Sequence, residues 1–418
     1  MPTVRPNLVG LTRPEFEDVA LDLGQPRYRG RQLYHGLYRR LLQYPDDFTT
    51  FDRALRQEIA GRYEIAYPVV LREITSRDQS VRYLLGLADG ESVEAVYMPW
   101  RSEQRNGRAV ATPSGRELRS AAAHAGQAES VLTANQGPRE NNRDLAVEIE
   151  EPRTTLCISS QVGCAVGCAF CFTGLLGARR NLTPGEIVGQ VLTIARERAL
   201  WARTVRTARS DRTEGKSGTA AKSPPRVNIV FMGQGEPLLN LRAVMAAVGI
   251  LADSEGCAIP LRRITISTAG IVPRIYDLAR ETVRPKLAVS LNASNDEQRD
   301  VLMPINRKYP LQTLMEACRA YPLRPRERLT FEYVMLDAVN DTDADATRVA
   351  ALLDRLPSRV NLIPYNGGAS LPYRPSPMER VCSFQKVLRE RGVPAFIRIS
   401  RGQDIMAACG QLSLEGRG

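Results

Sequence analysis

The chain has 418 residues, 43% apolar and 25% charged, with a formal net charge of +11 at pH 7. That length and apolar content support a large core in two or three domains and exclude a disordered chain. Eight cysteines in so long a chain exclude a disulfide-dense scaffold, and the only two histidines, His35 and His124, argue against histidine-based metal chemistry.

The first twenty residues lack the basic start and apolar run of a signal peptide, and no stretch reaches the roughly 18 apolar residues of a membrane span. A cytoplasmic protein without membrane contact is expected. Residues 1–64 read as an N-terminal helical domain, with Phe16, Val19, Ala20 and Leu23 on one stripe and Leu33, Leu37 and Leu41 on another. No acidic residue occurs from 23 to 45, while Arg27, Arg29, Arg31, Arg39 and Arg40 alternate with Tyr28, Tyr34 and Tyr38. Basic residues interleaved with aromatics suit an RNA backbone as well as a solvated face.

Residues 65–100 read as a small β region, with Tyr67-Pro-Val-Val-Leu71 and Val93-Glu-Ala-Val-Tyr97 as strands. Residues 101–152 contain no aromatic side chain and are rich in Ala, Ser, Asn, Gln, Arg and Glu, the composition of a mobile insertion. From 153 to 400, strands near 154–160, 227–233, 263–269, 286–292, 329–336 and 360–366 alternate with helical patterns, and a closing strand follows near 394–400. This alternation predicts an α/β fold, an open, partial (β/α)6 barrel of parallel strands joined by crossover helices. Thr183-Pro184-Gly185-Glu186 predicts the start of the first helix as a capping box. The basic insertion 202–226, with net charge +5, and the C-terminal segment 401–418 complete the chain.

In such barrels chemistry sits at the carboxyl ends of the strands. Cys164, the run Gly233-Gln-Gly-Glu-Pro237, Ser267, Asn292 and Asn366 all fall there.

In Cys164-Ala-Val-Gly-Cys168-Ala-Phe-Cys171 three thiols lie within eight residues, with Gly163 and Gly167 permitting tight turns. Neither a fourth zinc ligand nor a fourth ferredoxin-type cysteine is evident nearby. A cluster held here has one open iron. The spacing, with an aromatic residue before the third cysteine, resembles the radical S-adenosylmethionine (SAM) superfamily. That resemblance implies one [4Fe-4S] cluster on Cys164, Cys168 and Cys171, and SAM as cosubstrate.

Leu156-Cys-Ile-Ser-Ser-Gln-Val-Gly-Cys164, Gly235-Glu-Pro-Leu-Leu-Asn240, Pro304-Ile-Asn306, Glu332-Tyr-Val-Met-Leu336, Asn361-Leu-Ile-Pro-Tyr-Asn366 and Ala407-Ala-Cys-Gly-Gln411 together resemble the RlmN family. The resemblance covers nearly the whole chain apart from about 101–150 and 203–225. It implies methylation of adenosine C2 in 23S ribosomal RNA and transfer RNA. Adenine C2 is too electron-poor to attack SAM, so the family delivers a carbon radical. By resemblance, Cys409 carries the methyl group as S-methylcysteine, Cys157 resolves the RNA adduct through a transient disulfide, and Glu94 accepts the C2 proton. Gly235, Glu236, Ser267, Ser290, Leu291, Asn292 and Asn366 carry over as SAM contacts. The family also implies two SAM molecules per turnover, a reductant such as flavodoxin, and a monomer.

Standing alone, Cys157 would read as a buried strand residue and Glu94 as a surface carboxylate. Where the family commonly has histidine after Ser-Leu, this chain has Asn292, which cannot ionise. Cys257, Cys318 and Cys382 match no catalytic position and read as structural. A Cfr-like adenine C8 methyltransferase uses the same cysteines, and a non-catalytic metal-containing RNA-binding protein is an alternative of another class.

Overall fold

A computed structural model describes residues 5–99, 154–200, 227–367, 371–408 and 410–412. Contacts divide the chain into one unit of Met1–Met98 with Thr154–Gly418 and a second of Pro99–Arg153; the helices and strands of the described residues all belong to the first unit. Both predicted insertions, 101–152 and 202–226, and position 409 lie outside the described residues.

The chain opens with α1 (Arg13–Asp22), α2 (Arg27–Tyr38) and α3 (Arg53–Arg62), followed by β1 (Val69–Thr75), β2 (Val81–Gly86) and β3 (Ser92–Met98). Next come β4 (Thr154–Cys157), β5 (Gln161–Gly163), the single turn α4 (Phe172–Leu175), β6 (Ala178–Asn181) and α5 (Pro184–Glu197). The remaining elements are β7 (Val227–Phe231), α6 (Leu241–Ala252), β8 (Ile264–Thr268), α7 (Val272–Arg280), β9 (Lys286–Ser290), α8 (Asp296–Leu302), α9 (Leu311–Ala320), β10 (Leu329–Met335), α10 (Asp343–Leu352), β11 (Ser358–Pro364), α11 (Met378–Glu390) and β12 (Ala395–Ile397).

One sheet runs β1-β2-β3-β4-β7-β8-β9-β10-β11-β12. From β4 through β12 every pairing is parallel, the six βα units and closing strand expected from the alternation. The β region at 65–100 does not form a sheet of its own. Its strands are antiparallel to one another, and Val96↔Cys157 and Met98↔Thr155 join β3 to β4. A continuous buried cluster also runs from Leu8, Phe16 and Leu37 in the N-terminal helices to Val93, Ile229 and Val360 in the strands.

Local rules explain the helix starts. The Thr183 hydroxyl accepts from the Glu186 N–H at 3.2 Å, while the Glu186 carboxylate accepts the Thr183 N–H at 2.8 Å. Beyond the predicted face of α5, Gly189 and Gln190 are buried as well. A Cβ at Gly189 would stand 2.4 Å from Pro68, so glycine lets the chain entering β1 cross close to the helix.

The aromatic interleaving of α2 resolves into two environments. Tyr34 and Tyr38 are buried, packed edge-on to Phe16, and only Tyr28 is exposed. Positions 34 and 38 stand one turn apart, the spacing that turns both inward. No helix among the described residues is long and apolar enough to cross a membrane.

Candidate active site

The cysteine loop is held at both ends by the β5–β6 ribbon, which the sequence pattern did not reveal because its strands have only three and four residues. Gln161 pairs with Asn181 and Gly163 with Ala178, and the Cys164 N–H donates to the Gly177 carbonyl at 3.0 Å. Gly163 has φ +76°, and a Cβ there would lie 1.8 Å from that carbonyl oxygen. Gly163→Ala therefore combines left-handed strain with a backbone clash. We expect a loss of about 2–4 kcal/mol in stability with reduced iron per chain, read by thermal unfolding and iron analysis; wild-type values in both would contradict this reading of the loop.

Cys164, Cys168 and Cys171 pack against a satellite cluster of Val166, Phe170, Leu302, Met303, Leu336 and Tyr365. Burial pushes the Cys164 thiol up to about 12 and the Cys168 thiol well above its ordinary value, with neighbouring cysteines adding to both shifts. Thiols such as Cys164 and Cys168 in an apolar nest resist ionising unless a metal neutralises them. Among the described residues no three His, Cys, Asp or Glu side chains converge on a single metal ion. The donor set, the left-handed turns at Gly163 and Gly167, and the apolar surround fit a [4Fe-4S] group.

After β7, Gly235 has φ +100°, and a Cβ would meet Gln161 at 2.6 Å. Its glycine character is therefore required first by packing against the strand before Cys164. The Glu236 N–H donates to Gln161 Oε1 at 2.8 Å. The Glu236 carboxylate is 3% exposed and accepts the N–H groups of Leu238 (3.0 Å) and Ala269 (2.7 Å), tying β7 to β8. Burial raises its pKa to about 7. Ser267 and Ser290 are half-buried near or at the ends of β8 and β9, and Leu291 is fully buried.

Asn292 has φ +55°, a conformation asparagine tolerates better than most residues. Its Oδ1 accepts the Val334 N–H at 2.9 Å and its Nδ2 donates to Met303 Sδ at 3.3 Å. The side chain's donor and acceptor are thus both engaged inside the protein. Asn366 Nδ2 donates to the Ser400 hydroxyl at 2.6 Å. A cleft of about 610 Å³ opens beside the cysteine loop, lined by Ala165, Val166, Ile271, Arg307, Lys308 and Tyr309 among others, but by none of the SAM candidates.

Glu94 and Cys157 meet at the β3–β4 junction. Val96 stands opposite Cys157, and Glu94 lies two residues back on the same face of β3. Glu94 is 1% exposed and paired with Arg82, whose Nε donates to Oε1 at 2.8 Å. Sequence reasoning missed Arg82, since the pairing depends on the β2–β3 register, where Arg82 faces Val96.

Arg82 Nη1 also donates to the Ile405 carbonyl at 3.1 Å, fastening the C-terminal segment. The Asp404 carboxylate accepts the Ser76 hydroxyl (2.5 Å) and the Arg77 N–H (3.0 Å). Farther along, the Gly410 carbonyl accepts the Phe172 N–H at 2.9 Å, next to Cys171, and the Leu412 carbonyl accepts the Thr173 hydroxyl at 2.9 Å. Ala407 and Leu412 pack with Val96 and Cys157. The residues flanking position 409 therefore lie between the cysteine loop and Cys157. Cys257 and Cys318 are buried, as a structural role requires, whereas Cys382 is exposed on α11.

The sequence profile of the Radical SAM superfamily matches residues 158–349. A protein of Koribacter versatilis (strain Ellin345) named "Probable dual-specificity RNA methyltransferase RlmN" is 45% identical over 393 residues, covering 93% of this chain and 96% of its own. The "Dual-specificity RNA methyltransferase RlmN" of Anaeromyxobacter sp. (strain Fw109-5) is 40% identical, covering 99% of this chain and 92% of its own. The crystal structure of a radical SAM methyltransferase from Sphaerobacter thermophilus superposes with a TM-score of 0.74 at 39% identity, covering 97% of this chain and 98% of that one.

Proposed function

The chain belongs to the RlmN family of dual-specificity RNA methyltransferases, and on that premise we propose that it methylates C2 of adenosine in 23S ribosomal RNA and transfer RNA through a methylated Cys409. The observation that carries this reading is the meeting of three parts. The C-terminal segment on either side of position 409 packs on Cys157 and hydrogen-bonds the residue after Cys171.

Cys164, Cys168 and Cys171 would hold three irons of the cluster and leave the fourth open to the amino and carboxylate groups of SAM. When bound, the cluster supplies the electron that breaks a SAM carbon–sulfur bond and yields a carbon radical. Gly235, Glu236, Ser267, Ser290, Leu291, Asn292 and Asn366 are proposed around that SAM, with Glu236 and the strand ends as polar anchors.

The remaining steps belong to the protein's own groups. Cys409 accepts the methyl of a first SAM: an S–CH3 bond forms as the sulfonium carbon–sulfur bond breaks. Once a hydrogen atom has been removed from that methyl at the expense of a second SAM, the carbon adds to adenine C2. Glu94, held in place by its pairing with Arg82, accepts the C2 proton. Cys157 then attacks the Cys409 sulfur, forming a disulfide as the bond to the RNA-borne carbon breaks; that carbon takes up a proton to become the methyl group, and the unpaired electron left by the radical addition would return to the cluster when it is bound. A one-electron donor such as flavodoxin supplies the reducing power. Adenine C2 is unreachable inside a duplex, so the substrate base must be unstacked or in a loop. The exposed Tyr28 and the arginines of α2 offer a surface for RNA, although Glu17 pairs with Arg27 and Arg31.

Anaerobic reconstitution with iron and sulfide tests the reading at its base. A brown protein that cleaves SAM when reduced is expected; a colourless protein that binds RNA and leaves SAM intact would replace the enzyme with a binding module.

A further inference from the structure

Arg299 is the largest fully buried side chain among the described residues, with 0% exposure. Its guanidinium is spent on oxygen acceptors at the rim where the cysteine loop sits. Nη2 donates to the Ala269 carbonyl (2.8 Å) and the Ser290 carbonyl (3.0 Å), Nε to the Leu291 carbonyl (3.1 Å), and Nη1 to Asn306 Oδ1 (3.0 Å). Those carbonyls belong to the chain leaving β8 and to the end of β9, where the SAM contacts are proposed. The helix that carries Arg299, α8, is bonded directly to the cysteine loop through the Ala169 N–H and the Leu302 carbonyl at 2.9 Å.

A guanidinium out of water costs several kcal/mol unless an anion compensates it. Here all four bonds end on neutral carbonyl or amide oxygens. The carboxylates of Asp296 and Asp300 are reached only through Asn306 Nδ2, at 2.9 and 2.7 Å. Burial pulls the Arg299 pKa down to about 10. The guanidinium lies on the side of the core that faces the cysteine loop, since its acceptor Ala269 belongs to the same buried cluster against which Cys164, Cys168 and Cys171 pack.

We propose that Arg299 is a positioning residue for the radical-generating site, one that locks the strand ends at β8 and β9 to the cysteine loop and holds a fixed positive charge beside the iron–sulfur cluster. The proposal rests on the reading that Cys164, Cys168 and Cys171 carry that cluster. Accepting one electron from a low-potential donor makes the cluster and its thiolates one unit more negative, and a nearby fixed cation stabilises that state. The carbonyl bonds fix the backbone of the SAM contacts at the same time.

The test uses reconstituted full-length holoenzyme, with the cluster midpoint followed by electron paramagnetic resonance during a redox titration and SAM affinity measured by equilibrium dialysis. Arg299→Gln is expected to load iron normally but to lower the reduction equilibrium constant about tenfold, roughly 59 mV for one electron, and to weaken SAM binding about tenfold. Arg299→Lys keeps the charge but cannot serve four acceptors in the same geometry, so it should hold the wild-type midpoint while losing SAM affinity. A fully loaded R299Q enzyme with the wild-type midpoint overturns the proposal, because a merely structural staple would leave the potential unmoved. Should R299Q fail to fold, R299K decides: wild-type SAM affinity or a lowered midpoint overturns it. A wild-type protein that takes up no cluster would instead remove the underlying reading.

Discussion

A Cys409→Ala enzyme is expected to load its cluster and bind SAM yet to methylate RNA more than about a thousandfold more slowly, over about 4 kcal/mol in activation free energy. The reason is chemical: without the thiol there is no atom to carry the methyl to an electron-poor ring carbon. SAM cleavage should continue in this variant, uncoupled from RNA, because Cys164, Cys168 and Cys171 are untouched. Nucleoside analysis beside quantitation of cleaved SAM reads both halves. RNA methylation within tenfold of wild type would remove Cys409 from the mechanism.

Cys157→Ala should fail later in the same sequence. The carbon–carbon bond to adenine can still form through Cys409, but no thiol attacks its sulfur to release the product. A covalent protein–RNA adduct should therefore accumulate in near-stoichiometric amount and run as a shifted band on a denaturing gel, while multiple turnover disappears. Cys157 is 8% exposed beside Val96, Ala407 and Leu412, so alanine removes little volume and the fold should survive. Normal turnover in this variant would contradict the assigned role.

Much of the scaffold was legible in the sequence, because parallel strands buried on both faces read as short apolar runs, and the seven parallel strands β4 and β7–β12 fall within or close to those runs. The capping box at Thr183 is equally local. Non-local pairing was what the pattern concealed. Nothing in residues 69–98 announces that β3 will pair with β4 across an intervening segment of about fifty residues, and so one sheet reads as two regions. The partner of Glu94 was hidden for the same reason: Arg82 reaches it only once the β2–β3 register is set.

The site shows the same division. The cysteine spacing is a local signal and was readable. The β5–β6 ribbon that holds the loop is too short to produce a pattern, and Gln161, which supports both Gly235 and Glu236, looks in sequence like any polar residue. Arg299 was invisible because a helix arginine is normally solvated; only the carbonyls of Ala269, Ser290 and Leu291 converging on it give it meaning.

Mass spectrometry of nucleosides from RNA treated with the reconstituted enzyme, SAM and a reductant tests the central claim most directly. The expected product is 2-methyladenosine in 23S ribosomal RNA and transfer RNA; 8-methyladenosine as the only methylated product would contradict it.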